Sequence, residues 1–202
     1  MKKNIYFYET NTPIGKIGIA ATQNDSHITD LIWESDFEDF KKHNDFKPVL
    51  RWLVYDKAKI NLGGRLLTEE LAVGNLRHFI PLINELARLN KIHYINNVQV
   101  NLKEQEIKDN NSSHDFDDSH IIALAIVSKA KIICSDDSRS FKFIKKINEY
   151  DNKSDIPKIY TTIGHVPHTE LLCDSNICSN GQHRILDKDI ADNLWKKIEK
   201  LP

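Results

Sequence analysis

Residues 115–137 place the strongest constraint on how this chain can fold, because they join two acidic segments through one apolar run. Asp117 and Asp118 stand directly ahead of that run, which extends over residues 121–127. Short acidic residues favour a helix N-terminus, where unpaired N–H groups and the positive end of the helix dipole attract an acceptor. We therefore predict a buried helix that begins at these two acids.

A short strand is predicted directly after this helix. Residues 131–134 are mostly apolar and include two β-branched isoleucines, a composition typical of a buried parallel strand. Asp136 and Asp137 follow at its carboxyl end, which is the edge where open α/β sheets bind ligands. Because carboxylates that lie close together raise each other's pKa, we expect a hard cation such as Mg²⁺ to neutralise them.

Residues 118–125, together with Ser-Asp-Asp at 135–137, are similar to the second half of a PIN domain. The PIN family consists of metal-dependent nucleases that act mainly on RNA. One bacterial and archaeal branch of the family also resembles residues 46–53, 62–71, 158–160 and 168–172 of this chain. The resemblance implies a three-layer α/β/α fold with a central, mostly parallel sheet. The alternation of predicted strands and helices likewise favours a doubly wound sheet with right-handed crossovers.

An acidic site that binds Mg²⁺ or Mn²⁺ is implied by the same resemblance. Glu70, Asp118 and Asp137 match the family's acids and would be both catalytic residues and metal ligands. In that arrangement the metal lowers the pKa of a water and stabilises charge on the phosphodiester. From the residues alone, Glu70 also fits an exposed helix face, and Asp118 also fits a simple helix cap.

The first acid of the PIN pattern normally follows a buried strand, as Asp-x-Asn or Asp-x-Ser. Asp30 corresponds to this metal ligand, with Ile32 standing where the polar residue is expected. Asp36 and Asp56 are the alternative positions for it. Loss of this ligand would leave a site that binds metal more weakly.

Polar residues beside the implied ligands would support the site. Asp117 and Asp136 would hydrogen-bond the ligands or cap the local backbone, and Ser135 would hold a ligand or a phosphate. His120 corresponds to the histidine of an Asp-x-His motif in the same branch of the family. We expect His120 to make structural hydrogen bonds rather than to act in catalysis.

One local basic patch, rather than the net charge of the chain, is the candidate surface for nucleic acid. The sequence has 28 basic and 29 acidic residues, so its net charge does not indicate a nucleic-acid partner. Lys142, Lys145 and Lys146 stand close together in a predicted helix and would steer RNA toward the site. A solvated helix face is the alternative interpretation of these three lysines.

Cysteine usage and hydropathy bear on the compartment. Three irregularly spaced cysteines favour a reducing environment over a disulfide framework. No apolar stretch of the sequence approaches the ~20 residues that cross a bilayer, and no signal peptide heads it. We therefore expect a cytoplasmic protein without a membrane partner.

The predicted organisation has three parts: a β-stranded extension over residues 1–33, a PIN-like domain over 34–172, and a tail with a helix over 173–202. The last helix, 187–200, has an apolar face that would dock on the body or on a partner. An amphipathic helix is expected over 46–54, with Asp45 as its N-cap and Pro48 in its first turn. Other strands are predicted at 58–62, 92–95 and 157–161, and other helices at 76–89, 98–108 and 139–147.

The first ~30 residues, and residues 6–17 in particular, resemble the start of methylated-DNA–protein-cysteine methyltransferases. The Pro-Cys-His-Arg acceptor motif of those proteins is absent from this sequence, so DNA repair is not supported.

The leading hypothesis is a Mg²⁺- or Mn²⁺-dependent endoribonuclease, with the toxin of a toxin–antitoxin pair as its cellular role. A water would attack phosphorus and leave 5′-phosphate and 3′-hydroxyl ends. The expected partners are RNA, an antitoxin protein and a second copy of the chain. The alternative is a catalytically degenerate PIN-like module that binds RNA or a protein.

Overall fold

Helices and short parallel strands alternate along the chain in the computed structural model, which describes residues 40–65, 80–111, 119–135, 138–146, 148–161, 169–177 and 184–199. The helices are α1 (Phe40–Tyr55), α2 (Ile80–Arg88), α3 (Asn97–Asn110), α4 (Ser119–Ser128), α5 (Ser138–Lys146) and α6 (Lys188–Ile198). The strands are β1 (Ile60–Leu62), β2 (Ile92–Tyr94), β3 (Ile132–Cys134) and β4 (Lys158–Tyr160). Short 3₁₀ turns lie at Lys153–Asp155, Thr169–Leu171 and Asp174–Asn176. The predicted mixed α/β class is confirmed at this coarse level. The β-stranded extension predicted for residues 1–33 lies outside the described residues.

The strands form two parallel pairs. β1 pairs with β2, with Ile60 opposite Ile92, and β3 pairs with β4, with Cys134 opposite Tyr160. Every residue of β1 and β3 is buried, as expected because helices normally cover both faces of a parallel sheet. Within the described residues, the two pairs are separate two-stranded sheets.

Helix α4 and strand β3 follow the apolar pattern of the sequence closely. Residues 119–125 of α4 are all buried, because the run offers no polar face to solvent. The helix closes on Lys129, whose φ of 55° is left-handed, while the Ala130 N–H donates to the Ala125 carbonyl over 3.0 Å. This C-terminal closure satisfies a free helix carbonyl and leads the chain directly into β3.

The start of α1 differs from the prediction. The helix begins at Phe40, so Asp45 lies inside it and the prediction of Asp45 as the N-cap is wrong. Pro48 also lies inside the helix, where it cannot donate a hydrogen bond to the carbonyl of residue 44. Burial of an apolar stripe offsets that loss; the stripe consists of Val49, Leu50, Leu53 and Val54.

One hydrophobic core joins side chains from all of these helices and strands. The last helix belongs to it, since Leu194 and Ile198 are buried. At the contact of α6 with α1, the Tyr55 hydroxyl donates to Asp192 Oδ1 over 2.9 Å, and the Tyr55 ring lies 6.3 Å from that of Trp195. Helix α6 therefore packs on the body of its own chain. None of the described helices is long and apolar enough to cross a membrane.

Candidate functional site

The acids on which the predicted metal site depends lie outside the described residues. These are Asp30, Glu70, Asp117, Asp118, Asp136 and Asp137, and the alternative Asp36 lies outside as well. The elements predicted to carry them are described on either side: α4 begins at Ser119, directly after Asp118 in the sequence, and β3 ends at Cys134, directly before Ser135. The convergence of these acids on one ion stays a prediction.

No metal site is complete within the described part of the chain. There, no group of three or more His, Cys, Asp or Glu side chains is arranged to hold an ion. Asp56, the other alternative for the first acid, is exposed just after α1. Its backbone carbonyl accepts a hydrogen bond from Lys91 Nζ.

A buried carboxylate lies at the start of α4, however. Glu104 of α3 is 5% exposed. Its Oε1 lies 2.6 Å from Lys108 Nζ and 3.7 Å from Arg65 Nη1, and it accepts a 3.3 Å hydrogen bond from Ser119 Oγ. Burying a carboxylate is costly unless it is paired and hydrogen-bonded, and these contacts meet that requirement. We call Arg65, Glu104, Lys108, Ser119 and His120 the Glu104 cluster.

The turn after β1 brings Arg65 to this cluster. Gly64 has a φ of 60°, which favours glycine, and its N–H donates to Asn97 Oδ1 at the start of α3 over 2.9 Å. A Cβ added at Gly64 would collide with Val100, and one at Gly63 would lie 2.8 Å from the Ile95 carbonyl oxygen. Glycine at both positions lets the backbone pass this close to Ile95 and to α3.

His120 also contacts the guanidinium of Arg65. Its ring is 1% exposed, and its Nδ1 lies 3.2 Å from Arg65 Nη2. A guanidinium can only donate, so Nδ1 is the acceptor and the neutral ring carries its proton on Nε2. The expected hydrogen-bonding role of His120 agrees with this contact, and the contact joins α4 to the turn after β1.

Ser135 continues the β3–β4 ladder by one residue. Its side chain is buried, and its N–H donates to the Tyr160 carbonyl over 3.0 Å. The residue thus stands at the carboxyl end of a parallel strand, where the sequence predicts it.

The three lysines predicted to steer RNA belong to α5. Lys142 and Lys145 are exposed, and Lys142 Nζ lies 4.7 Å from the centre of the Phe143 ring. Lys146 is the last residue of the helix. Ser140 and Ile144 are buried on the same helix, so α5 is amphipathic and both interpretations of the lysines stay open.

Glu104 and Arg65 are polar residues that the sequence interpretation did not single out. A signal for Glu104 is present, because Val100, Glu104 and Ile107 share one helical face and all three are buried. An acid between two apolar residues at this spacing marks a buried charge that needs a cation. For Arg65, the only sequence signal is its position directly after Gly63 and Gly64.

A second buried charge, Lys91, lies at the start of β2. It is 1% exposed, and its Nζ donates to the Asp56 carbonyl and, over 3.2 Å, to the Arg184 carbonyl. Burial lowers the pKa of Lys91 from 10.5 to about 8, against the opposing effect of Asp56. Lys91, Asp56 and Arg184 are called the Lys91 region below.

Comparison of the chain with known protein families, with curated proteins and with solved structures finds no match.

Proposed function

We propose that this protein is a Mg²⁺- or Mn²⁺-dependent endoribonuclease of the PIN type, which hydrolyses single-stranded RNA. The observation that carries the proposal is the order of a buried helix and a buried parallel strand. The described part of α4 opens at Ser119, next to Asp118 in the sequence, and β3 ends directly before Ser135, Asp136 and Asp137. The PIN resemblance implies a helix and then a strand between these two groups of acids.

The pairing of the strands supports one central parallel sheet as the finer architecture. Strand β2 pairs with β1, and β4 pairs with β3, both in parallel. In doubly wound folds, successive strands are placed outward from the centre of the sheet, first on one side and then on the other. Ligands bind at the point where the strand order reverses. We propose that both pairs belong to one central sheet of a three-layer α/β/α domain, and that the acids gather at its carboxyl edge.

The proposed ligand set fits the proposed metals. Glu70, Asp118 and Asp137, with Asp30 as the fourth acid, would offer only carboxylate oxygens, which are the donors that Mg²⁺ and Mn²⁺ prefer. Asp117, Asp136, Ser135 and His120 would hold those ligands in place by hydrogen bonds.

Hydrolysis would then proceed with the chain's own groups in the following roles. A bound ion would supply Lewis-acid stabilisation of the phosphodiester and lower the pKa of water. The carboxylates would hold that ion and orient a water for attack on phosphorus. Breaking the P–O3′ bond would leave 5′-phosphate and 3′-hydroxyl ends. The exposed lysines of α5 would attract the RNA backbone. In the cell, we propose a toxin role, with an antitoxin protein as the inhibitor.

Cleavage of labelled single-stranded RNA tests the function directly. With Mn²⁺, the wild type should cleave, and Asp118→Asn should lower the rate at least about a hundredfold because a metal ligand loses its charge. Asp109→Asn is the matched control, since Asp109 is an exposed acid of α3 that accepts only a local hydrogen bond from Gln105 among the contacts described here. Its rate should equal that of the wild type.

If the wild type binds RNA but does not cleave it, the protein is a catalytically degenerate binding module and not an enzyme. Equal rates for Asp118→Asn and the wild type would contradict the proposed site, even if RNA is cleaved.

A further inference from the structure

Helix α3 carries large hydrophobic side chains on its solvent face. Leu102 is 67% exposed and Val98 is 65% exposed, and they lie one helical turn apart on the side opposite the buried face of the helix. We call Val98 and Leu102 the α3 ridge. Together with Tyr94, which precedes α3 at the end of β2, they are three of the four large hydrophobic side chains that are exposed in the described part of the chain. The fourth, Ile185, lies ahead of α6.

An open groove lies beside the α3 ridge. Its volume is about 470 Å³, well above the ~150 Å³ in which an apolar cavity holds benzene. The groove is lined by Gln99, Leu102, Lys103 and Glu106 of α3 and by Val127 of α4. Lys103 Nζ lies 3.0 Å from Glu106 Oε2, so the two charges of the groove neutralise each other. This surface of the protein therefore offers both a protruding apolar ridge and a groove that can receive one.

The ridge lies in a segment without charged residues. None of residues 92–102 is Asp, Glu, Lys or Arg, although these four types make up 28% of the chain. In a two-fold dimer each surface meets its own copy, so a charge near the axis would face a like charge. Charge is accordingly depleted at the centre of protein interfaces and found at their rims. RNA needs the opposite kind of surface, one rich in lysine and arginine.

A ridge and a groove on the same surface make that surface complementary to itself. Around a two-fold axis, the ridge of each copy enters the groove of the other, and the same contact forms twice. If the axis is perpendicular to α3, the two α3 helices run antiparallel, and the opposite ends of their dipoles attract. The exposed leucine and valine would then leave water, which is the main driving force of association.

We propose that two copies of this chain associate through the solvent face of α3, with Val98 and Leu102 of each copy in the groove between α3 and α4 of the other. The association does not depend on nuclease activity. One helix face per copy makes a small interface, so the expected Kd lies in the micromolar range.

Sedimentation velocity of the full chain tests the association. The wild type should pass from the chain mass of 23.4 kDa to twice that mass as its concentration rises through the micromolar range. Leu102→Glu should raise the Kd at least about a hundredfold, because each dimer carries the change twice and each carboxylate costs about tenfold. Leu102→Gln adds no charge and should raise the Kd by about tenfold. Circular dichroism verifies that both variants are folded, as expected for an exposed position.

Two controls locate the contact. Ile185→Glu puts the same charge on the other exposed hydrophobic residue, which is 53% exposed and lies outside α3, and it should leave the Kd of the wild type unchanged. Raising the salt concentration from about 0.1 M to about 1 M should not weaken the wild-type dimer, because no charges meet at its centre.

A selective loss of the dimer in the Leu102 variants upholds the proposal. A wild type that stays monomeric at about 100 μM overturns it, whether or not RNA or another protein binds the face of α3. Equal Kd values for Leu102→Glu and Ile185→Glu, or a dimer that dissociates as salt is raised, would show that the copies meet elsewhere. None of these outcomes depends on RNA cleavage, so the dimer and the nuclease can fail separately.

Discussion

Two buried charges among the described residues, Lys91 and Glu104, are stabilised by opposite means. Lys91 donates to the neutral backbone carbonyls of Asp56 and Arg184, which come from the end of α1 and from the segment before α6. Glu104 instead contacts charged side chains, Lys108 and Arg65. Neutral dipoles leave the Lys91 ammonium desolvated, and its pKa falls to about 8.

The Lys91 region and the Glu104 cluster also differ in their exposure to solvent. The Lys91 region ties three distant segments of the chain together and is closed to solvent, since Lys91 is 1% exposed. The Glu104 cluster reaches solvent through Arg65 and Lys108, whose side chains are 33% and 43% exposed. Lys91 is thus sealed inside the fold, whereas the Glu104 cluster is partly open to solvent.

The largest effect is expected from Lys91→Ala, which should lower the free energy of unfolding by about 3 kcal/mol. The change deletes a buried aliphatic stem and leaves two carbonyls without their donor. Urea denaturation measures it. Lys59→Ala is the control: Lys59 Nζ makes one exposed hydrogen bond to Asn90, and its loss should cost less than about 0.5 kcal/mol. Equal costs would mean that Lys91 does not tie the segments together.

The next effect is a pH dependence that belongs to Lys91. Its pKa is about 8 in the folded chain and 10.5 ordinarily, so between these values the unfolded chain binds the extra proton and stability rises with pH. The wild type should gain about 2.5 kcal/mol relative to Lys91→Met between pH 7 and pH 10. Below about pH 7 the difference between the two should be constant. Parallel curves across pH 8–10 would show that the ammonium is not desolvated.

A smaller loss of stability is expected from Glu104→Gln, about 1.5 kcal/mol, because the amide keeps the shape but not the charge that Lys108 and Arg65 face. Urea denaturation measures the loss. Glu106→Gln is the matched control on α3, since Glu106 pairs with Lys103 and is exposed, and it should change stability little. The comparison of the two regions fails if Glu104→Gln costs no more than Glu106→Gln.

The smallest effect should come from Tyr55→Phe, which removes the hydroxyl that donates to Asp192 beside the Lys91 region. The side chain is part-buried and the ring contacts with Trp195 remain, so we expect a loss of about 1 kcal/mol. Thermal unfolding measures it, and RNA binding should not change. An altered RNA affinity would show that α6 takes part in function as well as in packing.

Local sequence patterns predicted much of the fold. The apolar run of α4 and the isoleucines of β3 occur where expected, since a segment without polar residues is stable only when buried. The prediction for α1 was wrong at Asp45 and Pro48 because a buried stripe further along the helix outweighs the local cost of proline. The acids predicted to bind the metal lie outside the described residues. Of the residues predicted to support that site, the structure describes Ser135 and His120.

Among the described residues, the sequence by itself determined that α4 is a helix, that β3 is a strand and that β3 ends at Cys134, because apolar periodicity acts between near neighbours. Only the tertiary structure decided which groups pair with Glu104 and Lys91 and that Arg65 meets His120. A charge can enter the core only when distant segments supply its partners, and the identity of those segments is a property of the folded chain.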